Sequence, residues 1–325
     1  MSRTGVLVAG YGGPDSLEAV APFMCNLMDR EPSDELVERV CRRYLAIGGS
    51  SPLPEIAGSF AAKLAEAIKV PGAERDIPVE VGMRYWHPFI EDGLARLKES
   101  GCDRVVVVSL SAFEAKISTQ SSRDEITRVA AELELEIIEA PLISELPEFV
   151  EYLASSTAAA LTDIEPNMGA IIAFTAHSLP LTELVDDDPY VAGLERIAQM
   201  VAGRLGLELG QHGAGENMFE SFRAFGFSKP PRAWYLVYQS KGERPGGWLE
   251  PDLDGLIEAC SDANVPALVV CPIGFVTDHL ETLYDLDIVA ADKALSADVE
   301  FARAPVPNDS DMLIEPLALF VLSQQ

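Results

Sequence analysis

Phe174-Thr-Ala-His-Ser-Leu-Pro180 carries His177 between a buried-type apolar run and a proline-terminated turn. Imidazole titrates near neutral pH and ligates borderline metal ions, so this position suits proton acceptance or metal binding. The chain has four histidines. His212 lies in the glycine-rich stretch Gly210–Gly215 and reads as solvent-exposed, while His87 and His279 read as structural. A second landmark is Cys271-Pro-Ile-Gly-Phe-Val-Thr-Asp-His-Leu-Glu-Thr-Leu-Tyr-Asp-Leu-Asp287. Asp278 has the type and place of a helix N-cap, and Glu281, three positions on, fits a capping box. Glu281 and Asp285 are four apart and share a helix face. Stacked acids repel unless solvated, protonated or bound to a cation, so a buried pair would mark a cation path. Asp287 is off that face and reads as solvated. Near the N-terminus, Ala9-Gly-Tyr-Gly-Gly-Pro14 is glycine-rich but is neither G-x-G-x-x-G nor a Walker loop. Its glycines read as a tight turn, and Tyr11 puts a phenol at the carboxyl end of a strand.

The elements that must position these groups are β-branched apolar runs alternating with helical patterns. Candidate strands are Gly5–Ala9, Val79–Met83, Arg104–Leu110, Leu135–Ile138, Ala170–Ala176, Trp234–Tyr238 and Ala267–Pro272. Helical periodicity covers Asp34–Tyr44, Ser59–Ile68, Pro88–Ser100, Thr119–Leu133, Pro189–Leu205 and Leu253–Cys260, a segment starting near Asp278, and Asp311–Leu322. Such alternation predicts βαβ units, a mostly parallel sheet and helices on both faces. The weakest stretch, Thr162–Met168, suggests domains of residues 1–162 and 163–325. At 325 residues two domains are the default. In open α/β sheets ligands sit beyond the carboxyl ends of the strands, where His177 and Tyr11 fall.

Composition removes several classes. The net charge of −28 disfavours nucleic acid and anionic membrane surfaces. No apolar stretch approaches the roughly 18–20 residues that span a bilayer. The N-terminus lacks the pattern of a secretory signal, so a cytoplasmic protein without membrane attachment is expected. Five dispersed cysteines, with no Cys-x-x-Cys pair, read as isolated thiols and not as ligands of an iron–sulfur cluster.

Six motifs in order then carry a resemblance. Tyr11-Gly-Gly-Pro14, Arg43-Tyr-Leu-Ala-Ile-Gly-Gly-Ser-Ser-Pro-Leu53, Pro88-Phe-Ile-Glu-Asp92, Ala176-His-Ser-Leu-Pro180, Tyr238-Gln-Ser240 with Trp248-Leu-Glu-Pro-Asp252, and Gly274-Phe-Val-Thr-Asp-His-Leu-Glu-Thr-Leu-Tyr-Asp285 are similar to ferrochelatase signatures. They span almost the whole chain, and the likeness is greatest to the soluble coproporphyrin III enzymes of Gram-positive bacteria. The resemblance implies two Rossmann-like domains, an N-terminal one with porphyrin-binding loops and a C-terminal one with the metal-insertion residues, and a porphyrin cleft between them. It implies insertion of ferrous iron into a porphyrin in haem biosynthesis, with His177 and Glu281 as catalytic and metal-binding residues. Tyr11 corresponds to an axial ligand of the product iron, and Arg30, Arg43, Tyr44, Ser51 and Ser122 to substrate contacts. Three positions depart from the pattern: only Arg30 remains of an Arg-Arg-Gly-Arg-like run, Ser122 stands near a usual tyrosine, and Val289 stands where the acidic ladder would continue.

The chemistry asks for such a set. Metallation removes two pyrrole protons and strips water from the ion, tasks for a near-neutral imidazole and a carboxylate of raised pKa. Iron is then substrate, and no cofactor is required. A monomer is expected, handing its product to the next enzyme of haem synthesis. Rival readings are a protoporphyrin IX ferrochelatase, a cobalt chelatase of corrin synthesis, which generally uses paired histidines, and a non-catalytic haem or porphyrin carrier.

Overall fold

The computed structural model describes residues 3–70, 76–164, 169–209, 233–242 and 246–325. His212 and most of the stretch that suggested a domain boundary lie outside them. The chain divides into two compact units, and the division is not contiguous. The first unit comprises residues 1–149, 276–280 and 307–325, and the second comprises 150–275 and 281–306. The cut at 162/163 is therefore displaced. A helix formed by Pro147–Asp163 belongs almost wholly to the second unit, and the C-terminal helix belongs to the first.

In the first unit the chain runs β1 (Thr4–Gly10), α1 (Val20–Met28), α2 (Asp34–Ala46), α3 (Leu53–Ala67), β2 (Val79–Met83), α4 (Ile90–Glu99), β3 (Arg104–Ser109), α5 (Ser121–Leu133) and β4 (Glu136–Glu139). Four parallel strands lie in the order β2-β1-β3-β4. All seven residues of β1 are buried, as expected of a parallel strand covered on both faces. One face of the sheet packs Leu7, Ala9, Val105 and Val107 against Leu94, Leu97, Ile126 and Val129 of α4 and α5.

In the second unit come α6 (Pro147–Asp163), β5 (Ala170–His177), α7 (Pro189–Leu205), β6 (Glu208–Leu209), β7 (Ala233–Gln239), α8 (Leu253–Asp262), β8 (Ala267–Cys271), α9 (Leu280–Leu283), α10 (Ala291–Ser296) and β9 (Glu300–Arg303). Among the described residues the strands are parallel in the order β6-β7-β5-β8-β9. Local chemistry fixes the helix ends. Asp188 accepts from the Tyr190 N–H at 3.0 Å to start α7, with Pro189 at its first position, and Gly206 closes it at φ +64°.

The chain then returns to the first unit as α11 (Asp311–Ser323), which packs on α3. Ser59 donates to the Asp309 carboxylate just ahead of it, and Lys63 Nζ reaches the Asp309 carbonyl at 2.8 Å. These contacts explain why the last residues are not part of the second unit. Residues 116–120 and 285–290 are π-helical, wider turns than the 3.6-residue period predicts.

Candidate functional site

His177 is the last residue of β5, paired in register with Gln239, the last residue of β7. Its Nδ1 lies 3.1 Å from Oε2 of Glu281 in α9. His177 Nδ1 is buried, and Glu281 is the acid that faces it. The side chains are 27% and 30% exposed, which leaves both open to a reactant. Burial pulls the His177 pKa down, but the charge and hydrogen-bonding proximity of Glu281, joined by the charge of Asp285, outweigh it. The imidazole stands above its ordinary value.

Several groups hold this pair. Tyr190 of α7 donates its phenolic proton to the His177 carbonyl at 2.9 Å, and burial pushes that phenol's pKa far up, so it stays a neutral donor. Gln239 Nε2 donates to the Glu281 carbonyl at 2.9 Å. Ser240 is held at φ +59° and donates through Oγ to the Asp285 carboxylate. The Tyr238 phenol is pushed up to about 12, chiefly by burial. The loop after β8 runs close under β5: the Gly274 N–H donates to the Thr175 carbonyl at 3.0 Å. A Cβ at Gly274 would lie 2.6 Å from Ala176 Cβ and 2.8 Å from Ala176 Cα, so only glycine fits.

The capping-box alternative for Glu281 does not hold. The Asp278 N–H that a capping glutamate would accept donates instead to Asn308 Oδ1 at 2.7 Å, and α9 begins only at Leu280. Asp287 is not simply solvated. It receives a two-pronged bond from Arg303 of β9, with Nη2 to Oδ2 at 2.9 Å. Glu281 and Asp285 fall in one curve of chain although a strict α-helix ends between them, because the π-turn follows at once. The structural readings of two histidines fit the packing. His87 has Trp86 and Phe89 rings at 5.4 and 4.3 Å, and His279 Nδ1 lies 3.0 Å from the Thr277 carbonyl.

The remaining expected site residues lie in the first unit. Tyr11 follows β1, partly buried, with its ring edge-on to Tyr85 at 4.7 Å. Arg30 is exposed just past α1, and Arg43 is half-buried in the last turn of α2. Tyr44 is buried, 5% exposed, in a cluster with Val20, Phe23 and Trp86. Ser51 is also buried, and its Oγ accepts from the Leu53 N–H at 3.3 Å at the start of α3. Ser122 is half-buried in the first turn of α5. Tyr190, Gln239 and Ser240 were not singled out from residue chemistry, although Tyr238-Gln-Ser240 was visible as a motif. Their signal is positional, since Gln239 closes the strand that neighbours β5 and Ser240 follows it.

Among the described residues no three His, Cys, Asp or Glu side chains converge as a metal cage. All five cysteines are free thiols, and burial pushes Cys260 and Cys271 up to about 12. Among the described residues no helix is long and apolar enough to cross a membrane.

The ferrochelatase family model matches residues 3–325. A ferrochelatase of Geotalea uraniireducens is 32% identical, covering 98% of this chain and 97% of its own. The coproporphyrin III ferrochelatase of Streptomyces griseus is 31% identical over 96% of this chain and 85% of its own. Among solved structures, SirB from Bacillus subtilis with Fe3+ superposes with a TM-score of 0.54 at 13% identity, covering 98% of this chain and 93% of that one, a likeness of fold alone. With an imidazole at the end of β5 facing a carboxylate of α9, and with the family model matched over residues 3–325, this chain belongs to the ferrochelatases, the enzymes that insert iron into porphyrins.

Proposed function

We propose that this chain inserts ferrous iron into coproporphyrin III, giving coprohaem and releasing two protons. The His177–Glu281 contact at 3.1 Å is the observation that carries the reading. His177 takes a pyrrole proton, and its raised pKa makes it a stronger base than an ordinary imidazole. Glu281 receives the incoming ion or relays the proton outward, with Asp285, tied by Ser240, as the next carboxylate along the path. Iron enters as substrate, and the step needs no resident cofactor.

The substrate assignment is supported by Tyr11, which suits a phenolate ligand for product iron, and by relatives named as coproporphyrin III ferrochelatases at 28% and 31% identity. Protoporphyrin carries two propionates and partitions into membranes, whereas coproporphyrin carries four and dissolves in water. Arg30 and Arg43 are the cations assigned to them, through charge-assisted hydrogen bonds. Tyr44 and Ser51, being buried, support the walls of that site. The test is a metallation assay with ferrous iron comparing coproporphyrin III and protoporphyrin IX. A higher kcat/KM for coproporphyrin is expected. Equal or better efficiency with protoporphyrin overturns the substrate and leaves iron insertion standing.

A further inference from the structure

Acidic residues outnumber basic ones by 52 to 24, so an arginine here has carboxylates to choose from. Arg42, Lys63, Arg96, Arg123, Arg128 and Arg303 all have one. Arg84, half-buried just past β2, pairs with none among the described residues. Glu125, an acid that feels its charge, is taken by Arg128 at 2.6 Å. Arg84 is nevertheless held in place. Its Nε donates to Ser121 Oγ at 3.2 Å, and its guanidinium carbon stands 4.9 Å from the centre of the Tyr85 ring. Its terminal nitrogens bond to no described residue.

Tyr85 is fixed just as firmly. Its phenol oxygen lies 3.1 Å from Ser121 Oγ, and its ring meets Tyr11 edge-on at 4.7 Å. The backbone N–H groups of Arg84 and Tyr85 donate to the carbonyls of Gly10 and Tyr11 at 2.9 and 3.0 Å, which ties both residues to the end of β1. A guanidinium fork matches a carboxylate, and a desolvated one without an internal partner is left with an unmet charge. Ser121 is next to Ser122, where the family resemblance expects a phenol. Tyr85, just past β2, brings a phenol to the neighbouring Ser121.

We propose that Arg84, Tyr85 and Ser121 form an anchor for one carboxylate of the porphyrin, beside Tyr11. The terminal nitrogens of Arg84 donate to the carboxylate, and the two hydroxyls aim the fork. The anchor rests on the porphyrin reading above and extends it to a binding residue not otherwise assigned.

The test titrates the full-length protein by porphyrin fluorescence quenching with coproporphyrin III and with its tetramethyl ester, which keeps the ring but has no charged groups. Arg84→Gln should weaken binding of the acid roughly tenfold or more and leave the ester within about twofold, with a shallower salt dependence. Tyr85→Phe should show the same pattern more weakly. In turnover, KM should rise while kcat holds. Equal losses for acid and ester, or no loss for either, overturn the anchor. If Arg84→Gln melts early, Arg84→Lys, which keeps the charge and loses the fork, decides by the same comparison. Wild-type turnover with both porphyrins separates this outcome from failure of the substrate assignment. If protoporphyrin IX is preferred, the same titration with it and its dimethyl ester still reads the anchor.

Discussion

Glu281→Gln separates chemistry from stability. The substitution keeps the size and hydrogen-bonding capacity of the side chain and deletes its charge, 3.1 Å from His177 Nδ1. The magnitude on stability follows from burial. Fully exposed ion pairs contribute about 0.2–1 kcal/mol, and breaking a buried one costs about 3–5 kcal/mol. At 27% and 30% exposure this pair lies between, near 1–2 kcal/mol. A loss of 1 kcal/mol lowers Tm by about 2–4 °C in a chain of this order of size. The effect on rate is set by different physics, because a positioned proton acceptor or relay contributes about 10²–10⁴-fold. The variant should therefore melt a few degrees low and insert iron at least about a hundredfold slower.

The pH dependence adds a sign. Burial lowers the His177 pKa and Glu281 and Asp285 raise it, with a net rise. Removing the Glu281 charge lets burial count for more, so the acid limb of kcat/KM should move to lower pH. A histidine raised in the folded state contributes stability that is complete below its unfolded pKa, about 6.5, and is lost as pH rises through the folded value. The Tm difference between wild type and Glu281→Gln should thus be larger near pH 6 than near pH 9. Differential scanning fluorimetry across pH and an anaerobic metallation assay read both. A variant that keeps its rate within a few-fold, with a Tm loss as large at high pH as at low, would refute the charge coupling.

Other expectations are briefer. His177→Ala should lose about 10²–10⁴-fold or more of iron insertion with its circular dichroism unchanged, and near-wild-type turnover would remove His177 from the mechanism. Gly274→Ala puts a Cβ 2.6 Å from Ala176, so it should cost about 1–3 kcal/mol and slow insertion through displacement of the loop leading to α9; a wild-type Tm would show that the close approach is relieved at no cost. Protein purified anaerobically should carry no stoichiometric sulfide, because its cysteines are dispersed and free; stoichiometric sulfide would overturn that reading.

Legibility in the sequence follows from which force dominates locally. Val79–Met83 and Pro189–Leu205 match the observed β2 and α7 residue for residue, since a short valine alternation and a capped amphipathic helix leave direct marks. Helix α1, Val-Ala-Pro-Phe-Met-Cys-Asn-Leu-Met, has neither charges nor a side-chain cap to mark it in the sequence. Helix α6, rich in Ala, Ser and Thr, has a similarly weak stripe. Strand β9 is four residues long with charged ends, and its partner β8 rather than its own composition makes it a strand. The π-turns escape any reading by a 3.6-residue period, which is why the partner of Asp285 could not be foreseen. His177 and Glu281 stand out in the sequence because few residue types suit proton and metal transfer, and the fold brings them to 3.1 Å. Arg84 does not stand out, because an arginine after a strand is ordinary until its lack of a carboxylate is seen in three dimensions.

That lack also bears on the conflict between an anionic substrate and a chain of net charge −28. Charges interact through water over about 8 Å at physiological ionic strength, so distant surface acids have little hold on a bound carboxylate. Some acids are matched locally, as in Glu38–Arg42, and the −28 is the excess left once every cation is counted. What a propionate feels is the nearest uncommitted cation, and Arg84 is one. The incoming ferrous ion responds to the opposite feature. Before binding it samples the summed field of the whole surface, which is attractive to cations, and it meets Glu281 and Asp285 at closer range. Two substrates of opposite charge are thus served by two length scales of one charge distribution. Added salt should slow iron delivery through the long-range field and weaken porphyrin binding through the short-range contacts, the first at lower ionic strength than the second.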